Sequence, residues 1–436
     1  MPLQAWFIMR SRVTSAQFGG RKFFINDGHI VSFVQCSLAK SYLPRFNPFM
    51  QVIAPIDSVS FASQLIRRPS VTPIDAGALD TLQEALSGLG FVCTRYPFGE
   101  GDDRVDNLYA RLGTTAPNFC FAGHTDVVPT GDPEKWAHEP FAGTVQDGQL
   151  HGRGAAGMKG AIAAFVGALS ALLADGWKPK GSISFLITGD EEGPAINGTE
   201  KLLRAITDAG EVIDHCLVGE PTNPDAVGDM IKNGRRGSLN AKIAVHGRQG
   251  HVAYPHRALN PVPVMIELLS KLQARELDDG HEFFQPSNLE VTSIDVDNAA
   301  HNVIAETAHA QFNIRFNTHH RGDSLKEWIH SVIADVQAGF DGRIDADLRC
   351  TGEAFLTEPS NFTTTIQDAV ETVTGRRPAL STSGGTSDAR YITHYAPVCE
   401  FGLVGATMHQ VNERVDVADI TTLSAIYTHV LRDYFS

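Results

Sequence analysis

Three short apolar segments in the first half of the chain end at turns that contain Gly or acidic residues. They cover residues 118–122, 182–188 and 212–218 and have the length of buried strands. Residues 161–173 are rich in Ala and Leu and predict a helix long enough for a crossover. This alternation predicts an α/β fold with a mostly parallel sheet. The polar motifs that follow the strands then lie where open α/β sheets place their ligands.

The pattern changes near Ser238. Strands and helices are predicted in the order β-α-β-β-α-β, which is typical of a ferredoxin-like α+β sandwich. Their positions are a strand at residues 241–245, a helix at 262–277, strands at 289–296 and 308–316, a helix at 325–336 and a strand at 344–348. Because polar motifs follow this block, we expect the chain to return to the first domain. We therefore predict a catalytic domain of residues 57–236 and 351–436 with an inserted domain of residues 237–350.

Length, charge and cysteines narrow the class of protein. A chain of 436 residues is too long to fold around a single hydrophobic core, so about two or three domains are expected. The net charge of −14 disfavours nucleic acid, whose phosphates require a basic face. No apolar run approaches the ~20 residues of a membrane-spanning helix, so no membrane partner is expected. The six cysteines are scattered without a Cys-x-x-Cys pair, which favours a reducing cytoplasm.

The N-terminal segment, residues 1–56, has a different composition from the rest. It contains six basic residues and one acidic residue, a net +5, so that the remainder carries −19. Arg and Ser with few acids is the composition of a transit peptide. A misassigned translation start upstream of Met50, or a disordered tail, is the simpler interpretation.

Two motifs directly after predicted strands carry residues suited to metal-assisted hydrolysis. His124 and Asp126 stand two apart at a strand end, so both side chains point to one side and the carboxylate can orient the imidazole. Glu191 and Glu192 are adjacent in a loop flanked by glycines, which lets one bind a metal while the other accepts a proton from water. A strand-end polar pair and a solvated acidic loop are the alternatives.

Two further motifs complete a ligand set. Glu220 follows the apolar segment 212–218, and His409 supplies a second nitrogen in Met-His-Gln-Val-Asn-Glu. Each of these residues alone could be structural. The four motifs together are improbable by chance, and they predict a two-metal hydrolytic centre.

Glycine turns and basic residues suggest anion binding. The glycines of residues 151–154 and 383–386 are either ordinary turns or backbone donors for a substrate carboxylate. Lys232, Arg235 and Arg236 form a basic cluster in an acidic chain, and Arg suits bidentate carboxylate binding. The spacing of His251 and Asn302 decides nothing by itself.

Residues 57–436, nearly nine-tenths of the chain, resemble the M20 metallopeptidase family. The resemblance is carried by specific motifs. They are Leu-Ile-Arg-Arg-Pro-Ser-Val-Thr-Pro at 65–73, Lys-Asn-Gly-Arg-Arg-Gly-Ser at 232–238, Gly-His-Val-Ala-Tyr-Pro-His at 250–256, Gly-Gly-Thr-Ser-Asp at 384–388 and the His409 motif. The resemblance implies a zinc-peptidase-like catalytic domain, with the inserted ferredoxin-like domain serving for dimerisation and as a lid.

The resemblance also implies roles for individual residues. One zinc would be bound by His124 and Glu220, and the other by Glu192 and His409, with cobalt as a possible substitute. Asp126 would orient His124, and Glu191 would be the general base. His251 would reach across a homodimer to stabilise the oxyanion. The residues implied to hold the substrate's carboxylates are Arg235, Ser238, Tyr254, Asn302, Arg315, Gly385 and Thr386.

One position departs from the family pattern. Gly157 stands where the family has an Asp whose carboxylate bridges both metals, so each ion would lose a ligand. Asp147 and Asp175 lie too far along the chain to be assumed substitutes. Because Asp and Gly codons differ by one base, a recent lesion or a sequence error would explain the change.

The expected activity is that of a dinuclear zinc amidohydrolase. By resemblance, the substrate is a small dicarboxylate-bearing amide, N-succinyl-L,L-2,6-diaminopimelate, cleaved to succinate and L,L-2,6-diaminopimelate for lysine and peptidoglycan synthesis in the cytoplasm. The alternatives are an acetylornithine deacetylase-like or carboxypeptidase-like member, or a catalytically silent homologue that only binds ligand. Gly157 favours the silent homologue.

Overall fold

The computed structural model describes residues 14–18, 21–26, 29–30 and 54–436. The N-terminal unit, Met1–Gln51, contains three strands that the sequence analysis did not predict. They pair antiparallel in chain order and are Thr14–Phe18, Arg21–Asn26 and His29–Ile30. Met50 lies outside the described residues, so the proposed start there stays a prediction.

An eight-stranded sheet is the main element of the second unit. Its spatial order is Ala379–Ser381, Met230–Lys232, Val398–Glu400, His215–Val218, Asn118–His124, Ser182–Thr188, Leu108–Leu112 and Val92–Arg95. The four strands from Val398–Glu400 to Ser182–Thr188 are mutually parallel, and the antiparallel pairings lie on either side of them. The predicted mostly parallel α/β sheet is confirmed. The segment 212–218 forms a strand only from His215, and Val212 is 66% exposed.

Helices pack on this sheet and bury its side chains. They are Ser58–Ile66, Ala78–Gly88, Gly160–Ala174, Thr199–Asp208, Asn361–Thr374, Ala389–Ile392 and Val417–Tyr434. Gly160–Ala174 packs against both Ser58–Ile66 and Val417–Tyr434. Phe165 of this helix stacks on Phe121 of the sheet with ring centroids 4.3 Å apart. Burial of one such aromatic side chain stabilises the fold by about 1.5–3 kcal/mol. The packing of the crossover helix on the sheet therefore helps to fix the ends of the central strands.

The crossover helix also corrects an expectation from the sequence. Together with a preceding π-helical turn, Ala155–Lys159, it forms a 20-residue helical segment with a mean hydropathy of 1.6, long and apolar enough to span a membrane. The expectation that no apolar run approaches this length is therefore wrong. Because 89% of an 18-residue stretch of this segment is buried inside the protein, its apolar character is explained by the core.

The second unit also contains a four-stranded antiparallel sheet, as predicted. Its spatial order is Asn288–Asp295, Thr307–Phe316, Gly237–His246 and Arg343–Gly352, and the helices Pro261–Gln273 and Gly322–Gln337 cover it. The chain order β-α-β-β-α-β of the ferredoxin-like sandwich is confirmed, with the first helix ending four residues earlier than residue 277. The limits of the two domains stay predictions.

The remaining strands and short helices lie in the connections. The strands are Thr144–Gln146, Gln149–His151 and Arg414–Asp416 in one small sheet, and the pairs Gly234–Arg235 with Phe355–Leu356 and Gly250–His251 with Val303–Ile304. The short 3-10 helices are Gly101–Asp103, Pro133–Lys135 and Pro255–Arg257.

Candidate metal centre

Neighbouring parallel strands deliver three of the predicted motifs to one edge of the large sheet. His124 is the last residue of the strand Asn118–His124, and Glu191 and Glu220 follow the strands on either side of it. Because parallel strands end at the same sheet edge, side chains distant in sequence meet there. Nε2 of His124 lies 3.7 Å from Oε1 of Glu220 and 3.9 Å from Oε2 of Glu191.

The geometry is suited to a cation. Ligand atoms of His124, Glu191 and Glu192 all lie within 4.8 Å of one another. Oε1 of Glu220 is buried and has no hydrogen-bond partner among the described residues. An unsatisfied buried carboxylate oxygen is costly, and a metal ion would satisfy it. The donor set of imidazole nitrogen and carboxylate oxygen is the one that zinc accepts.

The fourth motif lies opposite these strand ends. Nε2 of His409 is 2.7 Å from Oε1 of Glu192. His409 has a φ of 63°, in the left-handed region that is unfavourable for a residue with a Cβ. Such strain costs about 1–3 kcal/mol and persists where the surrounding structure imposes it. The loop therefore holds the imidazole toward Glu192 at an energetic cost.

Asp126 connects the strand end to the acidic loop. Its main-chain carbonyl accepts a hydrogen bond from Nδ1 of His124 at 2.9 Å, and its carboxylate lies 3.5 Å from the same nitrogen. The carboxylate accepts backbone N–H groups of Glu192 at 2.9 Å and Glu191 at 3.3 Å. Asp126 thus positions the ring through its backbone and the two glutamates through its side chain. The second contact was not foreseen from the His-x-Asp spacing.

Crowding of acids perturbs their titration. Burial, and next the charge of Glu220, raises the pKa of Glu191 well above its ordinary value. Burial raises the pKa of Glu220 to about 7. At Glu192 burial also acts upward, but the hydrogen bond from His409 and the positive charges of His124, His409 and Arg153 together outweigh it, and the pKa of Glu192 is lowered. The cluster carries more negative charge than its imidazoles offset, and a divalent cation would relieve this.

Gly157 lines the same cavity as the candidate ligands. A Cβ at this position would meet only Oε1 of Glu413, at 3.8 Å, so a Cβ is accommodated without displacing a neighbour. Glu413 Oε1 accepts the N–H groups of Ala156 at 3.0 Å and Gly157 at 3.1 Å. The other oxygen of Glu413 accepts a hydrogen bond from Nη1 of Arg153 at 2.7 Å, in a fully buried ion pair. Glu413 therefore ties the Gly157 turn to the His409 loop, a role that sequence reasoning missed although the residue closes the His409 motif.

Arg235 is paired inside the protein. Its Nε donates to both carboxylate oxygens of Glu400, at 3.1 and 3.0 Å, and its Nη2 also bonds to Glu400. Nη1 donates to the carbonyl of Gly385 at 3.0 Å. Ser387 also donates to Glu400. Glu400 lies within a buried strand, and no sequence signal marks it. Most donors of Arg235 are thus engaged before any substrate binds.

The other predicted binding residues fall into separate places. Thr386 lines the main cavity, whose volume is about 1270 Å³. Ser238 and Arg315 stand opposite each other in the register of the small sheet. His251, Tyr254 and Asn302 are exposed around a two-stranded ladder of the inserted block and are outside the cavity lining of a single chain.

Comparison with known proteins identifies the class. The chain matches the family model of Peptidase family M20/M25/M40 over residues 120–433, more than half its length. It therefore belongs to this peptidase family, whose members are metal-dependent hydrolases.

Two curated relatives are close in sequence. A succinyl-diaminopimelate desuccinylase of Maricaulis maris (strain MCS10) is 65% identical over 374 residues, which cover 86% of this chain and 95% of the relative. A protein of the same name from Caulobacter sp. (strain K31) is 59% identical over 381 residues, 87% of this chain and 97% of the relative.

Solved structures agree on the fold. An M20 family metallo-carboxypeptidase from Sulfolobus solfataricus has a TM-score of 0.73 at 16% identity, covering 87% of this chain and 99% of that one. A dinuclear metal-binding peptidase of the M20 family from Bacillus subtilis has a TM-score of 0.63 at 14% identity, covering 87% and 97%. At these identities the likeness concerns the fold alone.

Proposed function

We propose that the protein hydrolyses the amide bond of N-succinyl-L,L-2,6-diaminopimelate and releases L,L-2,6-diaminopimelate and succinate in the cytoplasm. The observation that supports this substrate is the 65% identity, over 86% of the chain, to a succinyl-diaminopimelate desuccinylase. The convergence of His124, Glu191, Glu192, Glu220 and His409 on one cavity supports the reaction type. The product would serve lysine and peptidoglycan synthesis.

The site would hold two zinc ions, and cobalt could replace them. His124 and Glu220 would bind one ion, and Glu192 and His409 the other. When bound, the ions would polarise the amide carbonyl and make a nearby water more acidic. The unpartnered Glu220 oxygen and the crowding of carboxylates support this occupancy.

Glu191 is proposed as the general base. Its carboxylate would take a proton from the attacking water and deliver it to the leaving amine. Asp126 holds the backbone of Glu191 and of Glu192, so its substitution would misplace both glutamates.

Recognition of the substrate is proposed to involve both sheets and a partner subunit. Arg235, Gly385 and Thr386 would act from the catalytic domain, and Ser238 and Arg315 from the inserted domain. His251, Tyr254 and Asn302 are exposed and outside the cavity of one chain, which supports their action on the site of a second copy. Sedimentation should then give about twice the chain mass of 47.2 kDa. A monomer at micromolar concentration would remove His251 from the site.

A second candidate function rests on Gly157. Without a bridging carboxylate the two ions would repel each other, and the protein would bind ligand with little turnover. Purified protein should therefore be analysed for metal content and assayed with N-succinyldiaminopimelate, N-acetylornithine and a C-terminal dipeptide substrate. Turnover restricted to the first substrate supports the proposal. Turnover of another substrate, or ligand binding without any turnover, would contradict it.

A further inference from the structure

One arginine of the cavity wall has unused hydrogen-bonding capacity. Arg390 lines the cavity together with His124, Glu191 and Glu220. Its side chain is only 10% exposed, and its Nε is buried without a hydrogen-bond partner among the described residues. Asp388 Oδ1 lies 3.8 Å from Nη2, beyond hydrogen-bond length. The guanidinium is therefore held near an acid but is not satisfied by it.

This combination distinguishes Arg390 from other arginines of the described chain. The arginines with a buried, unpartnered nitrogen are Arg111, Arg153, Arg236, Arg315 and Arg390. Among them, within the residues that the structure describes, only Arg390 lines the main cavity. The other arginines of the cavity wall, Arg204 and Arg349, have no such buried nitrogen.

Comparison with Arg235 indicates what Arg390 could bind. A guanidinium has five N–H donors, and Arg235 directs its donors to Glu400 and to the carbonyl of Gly385. Arg390 makes no hydrogen bond of this kind to a carboxylate of the described residues, and its nearest partners are Asp388 and Tyr391. The guanidinium carbon of Arg390 lies 4.6 Å from the centre of the Tyr391 ring. Stacking on an aromatic ring restricts the orientation of the guanidinium plane. A guanidinium held at a cavity wall with only part of its hydrogen-bonding capacity used is suited to binding a carboxylate.

We propose that Arg390 is a substrate-recognition residue that binds a carboxylate of the substrate. The inference rests on the proposed function, since it assumes that the cavity receives a carboxylate-bearing amide. The succinyl end and the diaminopimelate end both carry this chemistry. Arg390 lies two positions after the Gly-Gly-Thr-Ser-Asp motif, so the same segment would supply both Thr386 and the arginine to the cavity.

The test compares Arg390→Gln and Arg390→Lys with a matched control, Arg204→Gln. Arg204 lines the same cavity, but its side chain is 70% exposed and already bonded to Glu200 at 3.0 Å. The zinc-loaded full-length chain is titrated calorimetrically with succinate and, separately, with L,L-2,6-diaminopimelate. Arg390→Gln should weaken one of these ligands by about 10- to 100-fold, as expected for a charged hydrogen bond. Arg390→Lys should recover part of the loss, and the control should bind as the natural chain does.

Succinate and diaminopimelate each represent one end of the substrate, so the separate titrations show which end Arg390 binds. A loss confined to succinate assigns Arg390 to the acyl end, and a loss confined to diaminopimelate assigns it to the other end; both support the inference. Unchanged affinity for both ligands, or no measurable binding of either to the natural chain, would overturn it. Failure of the proposed function gives a different result: no turnover of N-succinyldiaminopimelate, while the effect of Arg390→Gln on binding persists.

Discussion

The two halves of the candidate metal centre are built in different ways. His124 and Glu220 follow adjacent buried strands, and their side chains are 4% and 13% exposed. His409, which faces Glu192, lies in a loop with a left-handed backbone and a side chain that is 44% exposed. Strand ends are fixed by the packing of a large core, which is costly to displace. A loop ligand depends instead on a few polar contacts.

Those contacts meet at Glu413. This residue connects the His409 loop to the Gly157 turn through two backbone N–H groups, and a buried arginine neutralises it. The proposed ligands of the strand-end half are therefore positioned by the core of the large sheet. The loop half requires Glu413 and, in a complete site, a carboxylate at position 157. Substitutions in each half would separate these two dependences.

Glu191→Gln is expected to abolish turnover in a Gly157→Asp background. The amide keeps the size of the side chain but cannot accept the proton, and general-base catalysis supplies on the order of 10²- to 10⁴-fold. Steady-state assays with N-succinyldiaminopimelate measure the loss. Glu200→Gln is the matched control, because Glu200 lines the same cavity on a helix and is paired with Arg204. Equal rates in the two variants would exclude Glu191 as the base.

Gly157→Asp is expected to raise zinc content from nearer one ion to two per chain and to raise turnover. Loss of a bridging ligand should cost more than the roughly 10- to 100-fold typical of a residue that only orients a ligand. The space around Gly157 admits a Cβ without a close contact. Elemental analysis of dialysed protein and kcat/KM measure the two effects, with Gly157→Asn as the uncharged control. Two tightly bound ions in the natural chain, with turnover equal to the variant's, would contradict this account of the site.

Glu413→Ala is expected to destabilise the fold by about 3–5 kcal/mol, because it leaves Arg153 buried and unpaired. It should also reduce metal content, since the turn and the loop would no longer be joined. Denaturant unfolding of metal-free protein measures the first effect separately from the second. Exposed Glu371, which pairs with Arg377 at 2.8 Å, is the control position. A free-energy change as small as that of Glu371→Ala would show that the loop does not depend on Glu413.

Removal of residues 1–49 is expected to have the smallest effect. This segment is basic while the remainder is strongly acidic, and the recognisable domain begins after Met50. A chain starting at Met50 should keep the melting temperature and the metal content of the full chain. A clear fall in melting temperature would show that the N-terminal unit stabilises the rest.

The α/β class, the ferredoxin-like insertion and the motifs that meet at the cavity could be predicted from the order of the residues alone. Apolar runs specify buried strands, and strands that end together bring His124, Glu191 and Glu220 to one edge. Gly157 was also visible, because a missing side chain is a property of one position.

The hydrogen-bond and ion-pair partners of these residues are visible only in the folded chain. Glu400 engages Arg235, and Glu413 joins two segments that lie 256 positions apart in the chain. The folded chain also shows that the apolar crossover helix is a core helix, and that Nε of Arg390 at the cavity wall is buried without a hydrogen-bond partner among the described residues. Local patterns report which face of an element is apolar. They do not report which distant side chain supplies a buried charge with its counter-charge, because that pairing forms only when the elements pack.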